Sequence, residues 1–268
     1  MALDYKTLAK NYLAHGYVSP VTFLKNADAY EHRKRMEIAE NKIGSLHYRS
    51  KAHTFLTSAW ELASKAEVLD LVEMLIGPDI LLYNVTYIIK EPNSLSHVSW
   101  HQDLTYWGLS HDDQVSMWMA LSPATEESGC MKMIPGSHKQ GRQKHEVTTD
   151  KTNVLLQGQT VTSVDENTAV FCPLNPGQAT FHHGWTLHAS MPNISNERRI
   201  GLNVQYLATH THQTKHKNDS AILVQGQDRF NYFSKDIPAV TDLDPAAMKR
   251  QDKLEKLYIE TAGNSLIL

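Results

Sequence analysis

Three kinds of pattern follow one another along the chain. At the N-terminal end, apolar positions recur at helical spacing. Asp4 is suited to cap a helix whose Leu8, Tyr12 and Leu13 share one face, and Gly16 is its stop. Ser19-Pro20 reads as a turn. A charged helix is predicted from Asp28 to Glu40, carrying Glu31, Arg33, Lys34, Arg35 and Glu37. Its first reading is a solvated face, its second a lid or dimer contact. A helical pair covers Thr54 to Ile76 and closes at Gly77-Pro78.

Beyond Gly77 the periodicity shortens. Ile80 to Ile89 is β-branched and aromatic, bounded by Gly-Pro before it and Glu91-Pro92-Asn93 after it, which is a strand signature. Further strands are predicted over Val98–Asp103, Gln114–Leu121, Cys130–Ile134, Ala169–Cys172, Gln178–Ser190 and Arg199–Leu207. Many short strands without helices between them point to a sandwich or barrel rather than βαβ units. From Asp244 to Thr261 the pattern is helical again, with Pro245 at the first turn. The helices read as a layer on one β-core.

Composition narrows the chemistry. The chain has 15 His but only 2 Cys. Cys130 and Cys172 are too few for a disulfide framework or a four-thiolate zinc site, so a metal here would be held by imidazole and carboxylate. Both thiols read as small buried hydrophobes. With 26 Lys+Arg against 29 Asp+Glu the net charge is −3, which lacks the basic excess of many nucleic-acid binders. The N-terminus shows no basic region followed by an apolar core, and Ile80–Ile89 is too short to span a bilayer. The expectation is a cytoplasmic protein acting on a small molecule, with neither nucleic acid nor membrane as partner.

Candidate ligands are imidazoles and a carboxylate. Trp100-His101-Gln102-Asp103 puts His101 and Asp103 two apart in a predicted strand, on one face. His188 follows in a later strand, and Arg199 lies across a turn of Pro192-Asn193-Ile194-Ser195-Asn196. Two His and one carboxylate make a facial triad with three open positions, the arrangement of non-haem Fe(II) oxygenases. An Arg on the neighbouring strand can hold a carboxylate as a planar fork. In the last predicted strand Arg199, Gly201, Asn203 and Gln205 share a polar face, and Ile200, Leu202, Val204 and Tyr206 an apolar one. The first set therefore reads as cavity lining, and Arg198 falls on the other parity. His182 is in phase with His188 and is a candidate for substrate contact, with a hydrogen-bonded core His as the alternative.

These residues resemble the phytanoyl-CoA dioxygenase family of Fe(II)/2-oxoglutarate oxygenases. The likeness is carried by Trp100-His101-Gln102-Asp103, by Gly129-Cys130-Met131-Lys132-Met133-Ile134-Pro135-Gly136-Ser137-His138, and by His188-Ala189-Ser190-Met191-Pro192-Asn193 running into Arg198-Arg199. It implies a mainly β fold with flanking helices around a double-stranded β-helix, or jelly-roll, core. With the helical layer on one β-core, the chain reads as a single domain of residues 1–268: a mostly helical flank (1–78), the jelly-roll core that the resemblance implies (79–207), and a loop with a C-terminal helix (208–268). The resemblance implies Fe(II) on His101, Asp103 and His188, and the distal carboxylate of 2-oxoglutarate on Arg199. Ser190 and Trp107 resemble family positions near the cosubstrate. A polar residue on the strand before the H-x-D motif often helps hold 2-oxoglutarate in relatives, and here Asn84 and Thr86 are both candidates. His101 to Leu109, Phe181 to Trp185 and Leu223 to Asp228 look like bacterial members, some of which hydroxylate 2-aminoethylphosphonate-type compounds.

The resemblance implies hydroxylation of an unactivated C–H bond with O2, as 2-oxoglutarate becomes succinate and CO2. Halogenating relatives replace the carboxylate ligand by a small residue, and Asp103 keeps it. The polar positions His182, Asn203, Gln205 and Lys132 favour a small polar or zwitterionic substrate over a branched acyl-CoA. A phytanoyl-CoA-like or natural-product hydroxylase, a non-catalytic jelly-roll protein binding a ligand or metal, and a zinc hydrolase stay open as alternatives. His210, His212 and His216 read as a solvated loop before a second metal site, His183 as packing or surface, His138 as turn chemistry, and Trp118 and Trp185 as core. Oligomeric state is not readable.

Overall fold

The computed structural model describes residues 3–155, 159–215 and 217–262. The first helix, α1 (Tyr5–His15), begins where the Asp4 carboxylate accepts the Thr7 N–H at 3.1 Å, and ends at Gly16, whose φ of 81° lets its N–H reach back to the Tyr12 carbonyl. The next segment corrects the sequence reading. Ser19-Pro20 is not a turn but sits, with a cis peptide bond, inside the strand β1 (Tyr17–Thr22). Then come α2 (Asn26–Ile43), α3 (Thr57–Ala63) and α4 (Ala66–Ile76). On α2 the charged residues are tied down by Arg33–Glu37 and Arg35–Glu61 pairs while Ala29, Met36 and Ala39 are buried.

The strands follow as β2 (Ile80–Lys90), β3 (Val98–His101), β4 (Gln114–Ala120), β5 (Met131–Met133), β6 (Glu146–Val147), β7 (Gln159–Thr160), β8 (Val170–Cys172), β9 (Gln178–His183), β10 (His188–Ser190), β11 (Arg199–Ala208), β12 (Ser220–Gln225) and β13 (Ser234–Lys235). A one-turn helix α5 (Leu104–Trp107) follows β3, and α6 (Pro245–Ala262) comes last. The strands form a seven-stranded sheet in the order β1-β9-β4-β11-β2-β12-β13 and a four-stranded sheet in the order β3-β10-β5-β8, with β6 and β7 paired apart. This is the jelly-roll architecture, flanked by helices.

Three boundaries differ from the sequence reading. The stretch Gln178–Ser190 is two strands in different sheets, because the chain turns at Gly184 to Leu187 and crosses from the large sheet to the small one. The core is not confined to 79–207: β1 pairs with β9, and β12 pairs with β2, so both flanks lend strands to the large sheet. The strand ending in Asp103 stops at His101, and Asp103 stands in αR conformation at the start of α5.

Alternation separates the two faces of the large sheet. Val115, Met117 and Met119 of β4, Ala179 and Phe181 of β9, and Ile200, Leu202, Val204 and Tyr206 of β11 face the layer made by α1 to α4. Their strand neighbours Ser116, Trp118, His182, Arg199, Asn203 and Gln205 face the small sheet. On β2 a register shift opposite Gln205 and Tyr206 leaves one extra residue, Tyr83, unpaired. Before it Ile80 and Leu82 face the helices; after it Val85, Tyr87 and Ile89 do. The bulge thereby turns Thr86 and Ile88 toward the space between the sheets.

Candidate active site

Between the sheets lies a cavity of about 150 Å³. His101 and His188 are directly paired across β3 and β10, which sets their ring centroids 4.0 Å apart. Asp103 reaches the same point by another route. The chain leaves β3 and turns, so its carboxylate swings back until Oδ1 is 3.3 Å from His101 Nε2 and 3.6 Å from His188 Nε2. The turn is anchored by Gln102, wholly buried, whose Nε2 donates to the carbonyls of Gly141 and Trp185 and whose Oε1 accepts the Gln143 N–H.

The tautomers are set by the strands themselves. His101 Nδ1 lies 2.9 Å from the Ser99 carbonyl and His188 Nδ1 lies 3.0 Å from the Thr186 carbonyl. Each Nδ1–H donates backward, leaving both Nε2 lone pairs to converge. The far oxygen of Asp103, Oδ2, accepts from Ser116 Oγ at 2.9 Å and from His182 Nε2 at 3.2 Å, and Ser116 itself accepts from Gln114 Nε2. One carboxylate oxygen is thus occupied and the other is free for a metal. Burial by itself would raise the Asp103 carboxyl, but the surrounding imidazoles, with His182 donating to Oδ2, hold it well below the usual carboxylate range. Burial keeps His188 well below its ordinary value, hence neutral and able to ligate. Two nitrogens and one oxygen within 4.8 Å of one another suit a divalent transition metal, and among the described residues no other such group occurs.

Arg199 closes the other end. It is 1% exposed, donates from Nη1 to the Gly129 carbonyl at 2.7 Å, and lies 4.9 Å over the Trp118 ring. No carboxylate pairs with it among the described residues, and its Nε has no partner. Burial lowers its pKa only to about 10, so the guanidinium stays charged and unmatched. Such a site asks for an anionic ligand. Arg198, by contrast, is engaged on the outside with Glu37, Glu40 and Glu91.

The remaining candidates divide. Ser190, Trp107, Thr86, His182, Asn203 and Gln205 all line the cavity. Ser190 Oγ accepts from Lys90 Nζ at 2.8 Å, and Lys90, pushed down to about 6 by burial and by Arg199, also donates to the carbonyls of Ser190 and Met191. Asn84 lies behind the lining, its Oδ1 accepting the Lys51 N–H at 2.8 Å. Lys132 is a correction. On β5 the residues facing the cavity side are Met131 and Met133, so period-two alternation sends Lys132 outward, where Nζ pairs with Glu166 at 2.6 Å and lies over Trp100. Polarity alone suggested it; strand phase excludes it.

Other residues were not singled out from the sequence. Tyr48, Tyr106, Met131 and, from α6, Glu255, Tyr258 and Ile259 also line the cavity, and Trp118 is both core and lining. The α6 residues come from a helix whose pattern says only that one face is apolar; nothing local says what it covers. No residue of α2 lines the cavity. Cys130 and Cys172 are free and buried, their thiols pushed up to about 11 and 12 by burial. His210 faces Asp113 at 2.9 Å; His216 lies outside the described residues. His183 packs among Tyr12 and His138, and burial lowers it to about 4.

Residues 19–201 match the family model described as phytanoyl-CoA dioxygenase (PhyH). Among curated proteins, a probable alpha-ketoglutarate-dependent hypophosphite dioxygenase of Stutzerimonas stutzeri is 28% identical over 158 residues, 58% of this chain and 55% of that protein. The peroxisomal phytanoyl-CoA dioxygenase of Homo sapiens is 27% identical over 159 residues, 58% of this chain and 47% of that protein. The chain thus spans about half the length of these curated relatives. Among solved structures, the apo non-heme monooxygenase ThoJ superposes with a TM-score of 0.81 at 28% identity, over 94% of this chain and 99% of that one. CytC3 with Fe(II) and alpha-ketoglutarate shares the fold, with a TM-score of 0.65 at 19% identity over 84% of this chain and 90% of that one. No described helix is long and apolar enough to cross a membrane.

Proposed function

The chain belongs to the phytanoyl-CoA dioxygenase family, and from that premise we propose that its 268 residues form one Fe(II)- and 2-oxoglutarate-dependent dioxygenase domain that hydroxylates a C–H bond of a small polar metabolite. The observation that carries the reading is the convergence of Asp103 Oδ1 with the Nε2 atoms of His101 and His188. Iron(II), when bound with 2-oxoglutarate and O2, supplies the oxidising chemistry, converting the cosubstrate to succinate and CO2 while one oxygen atom enters the substrate.

The chain's own residues hold and orient. His101, His188 and one oxygen of Asp103 would hold the iron and leave it open to cosubstrate and oxygen. Ser116 and His182 hold the second oxygen of Asp103, so the carboxylate ligates through one atom. Arg199 neutralises the distal carboxylate of 2-oxoglutarate as a planar fork, with Trp118 as its backing. Ser190, held by Lys90, and Thr86 and Trp107 complete the cosubstrate end. With the carboxylate ligand in place, hydroxylation is favoured over halogenation.

Succinate release from 2-oxoglutarate on adding Fe(II) and O2 tests the reading. Asp103→Ala should lose iron affinity and abolish succinate formation. Full activity in that variant, or a wild type that binds no Fe(II) and releases no succinate with any of a broad substrate panel when Fe(II) is supplied, would overturn it in favour of a non-catalytic binding protein.

A further inference from the structure

A second buried cation stands beside Arg199. Lys90 and Arg199 face each other directly across β2 and β11. Lys90 is 3% exposed. Thr86 and Ile88 of the same strand face the space between the sheets, and period two sends Lys90 the same way. Its Nζ meets three acceptors: Ser190 Oγ at 2.8 Å, the Ser190 carbonyl at 3.3 Å, and the Met191 carbonyl. No carboxylate pairs with it among the described residues, since Glu91, the next residue, turns to Arg198 on the outside. Lys90 does not line the cavity that holds the triad. It lines a smaller one of about 120 Å³, which shares Tyr48, Ile88 and Val98 with the first. Ser190 does line the first cavity, so Lys90 acts on that cavity through Ser190.

A serine hydroxyl has one proton to give. An ammonium only donates, so against a charged Lys90 the Ser190 Oγ must accept, and its own proton is free for the cavity. Among the described residues Ser190 Oγ has no partner besides Lys90. A neutral amine has two protons, enough for the two carbonyls, and a lone pair that takes the Ser190 proton instead. The charge on Lys90 therefore decides which way the Ser190 hydroxyl points. Burial and the facing Arg199 push Lys90 down to about 6. The other titratable groups around it bring no counter-charge: burial holds the Cys130 thiol at about 11, His47 at about 4 and the Tyr48 hydroxyl at about 12, all neutral near pH 7. A carboxylate arriving at Arg199 shifts the balance, because it attracts both cations.

We infer that Lys90 is a positioning residue for the cosubstrate: its ammonium turns the Ser190 hydroxyl into a donor toward the distal carboxylate of 2-oxoglutarate and places a second positive charge behind it. This rests on the oxygenase reading above. It also makes binding of that carboxylate proton-linked. Above the pH at which the free amine loses its proton, binding must restore that proton, so affinity falls as pH rises until the amine of the bound state titrates in turn.

The test compares 2-oxoglutarate with 2-oxopentanoate, which carries a methyl group in place of the distal carboxylate. Both are titrated anaerobically into the Fe(II)-loaded protein, where the visible charge-transfer band reports the keto-acid end that they share. The ratio of their dissociation constants isolates the distal carboxylate. Lys90→Met should reduce the preference for 2-oxoglutarate about tenfold or more, as expected for losing a hydrogen bond to a charged group, and leave 2-oxopentanoate within about twofold. Ser190→Ala should reduce the preference as well, and in that background Lys90→Met should have a smaller effect than in the wild type, because one residue acts through the other. Between pH 6 and 8 the wild-type preference should fall by about tenfold or more, and that of Lys90→Met should stay flat. The wild-type pH series needs no variant, so it decides the matter even if Lys90→Met does not fold. Equal weakening of both keto acids by Lys90→Met, the mark of a merely structural role, refutes the inference. So do additive effects of the two substitutions, or a wild-type preference that does not change with pH. A band that forms with neither keto acid in the wild type instead refutes the oxygenase reading, and this inference with it.

Discussion

Gly201 is where a single methyl group should break cosubstrate binding without touching a ligand. A Cβ built there would lie 1.9 Å from Trp118 Cζ2 and 2.2 Å from Cε2. These are ring atoms of a side chain only 4% exposed, so the indole must move bodily. Gly201 is absent from the positive-φ residues, so the conflict is purely one of space. Overpacking of this kind costs about 1–3 kcal/mol, which for a chain of this size lowers the melting temperature by about 2–12 °C at roughly 2–4 °C per kcal/mol. The indole is also the platform under Arg199, whose guanidinium carbon is 4.9 Å from its ring. Losing a desolvated cation–π contact is worth about 0.5–2 kcal/mol, or about 2- to 30-fold in dissociation constant. Gly201→Ala should therefore weaken 2-oxoglutarate binding by that factor in an anaerobic titration of the iron-loaded protein, with iron affinity unchanged because the triad lies on other strands. Unchanged 2-oxoglutarate affinity together with an unchanged melting temperature would refute the reasoning.

His53 and Lys132 supply the other tests. His53 is fully buried with neither ring nitrogen partnered, and burial lowers its pKa from 6.5 to about 3. The unfolded chain takes up a proton near pH 6.5 that the folded chain refuses until about pH 3, so stability falls with pH across that window, by about 1.4 kcal/mol per unit. His53→Leu should remove this increment, read as the difference in urea midpoints between pH 7 and 4.5; parallel pH dependences in variant and wild type would exclude it. Lys132→Ala should leave 2-oxoglutarate turnover within about twofold and cost about 1 kcal/mol, since the pair with Glu166 is outside the cavity. A turnover loss of tenfold or more would return Lys132 to the site.

The legibility of the site followed how local each signal is. On β11 the alternation from Arg199 to Gln205 reads correctly in sequence, because a straight strand buried on both faces keeps strict period two. Lys132 stood out for its polarity alone, and the phase of its three-residue strand, which the short segment does not reveal by itself, turns it away from the cavity. His101 and Asp103 come together as expected, but not as neighbours on a strand face: the strand ends between them, and Gln102 holds the turn that re-aims the carboxylate. Ser19-Pro20 looked like a turn because proline lacks a ladder donor, yet β1 is an edge strand, where that donor is not needed.

What the sequence determined by itself was the inventory: a sandwich or barrel of short strands with a helical flank, which the family resemblance narrowed to a jelly roll, and nitrogen, oxygen and guanidinium groups in an order that fits one metal and one dicarboxylate. Periodicity and motif spacing are properties of neighbouring residues, so they survive without coordinates. Only the tertiary structure decided who meets whom. The pairing of Asp103 with Ser116 and His182, the Trp118 platform over Gly201, and the closure of the cavity by Tyr258 and Ile259 all join residues far apart in the chain. Such contacts arise from sheet register and helix docking, which depend on the packing of the whole core and leave no mark at any one position.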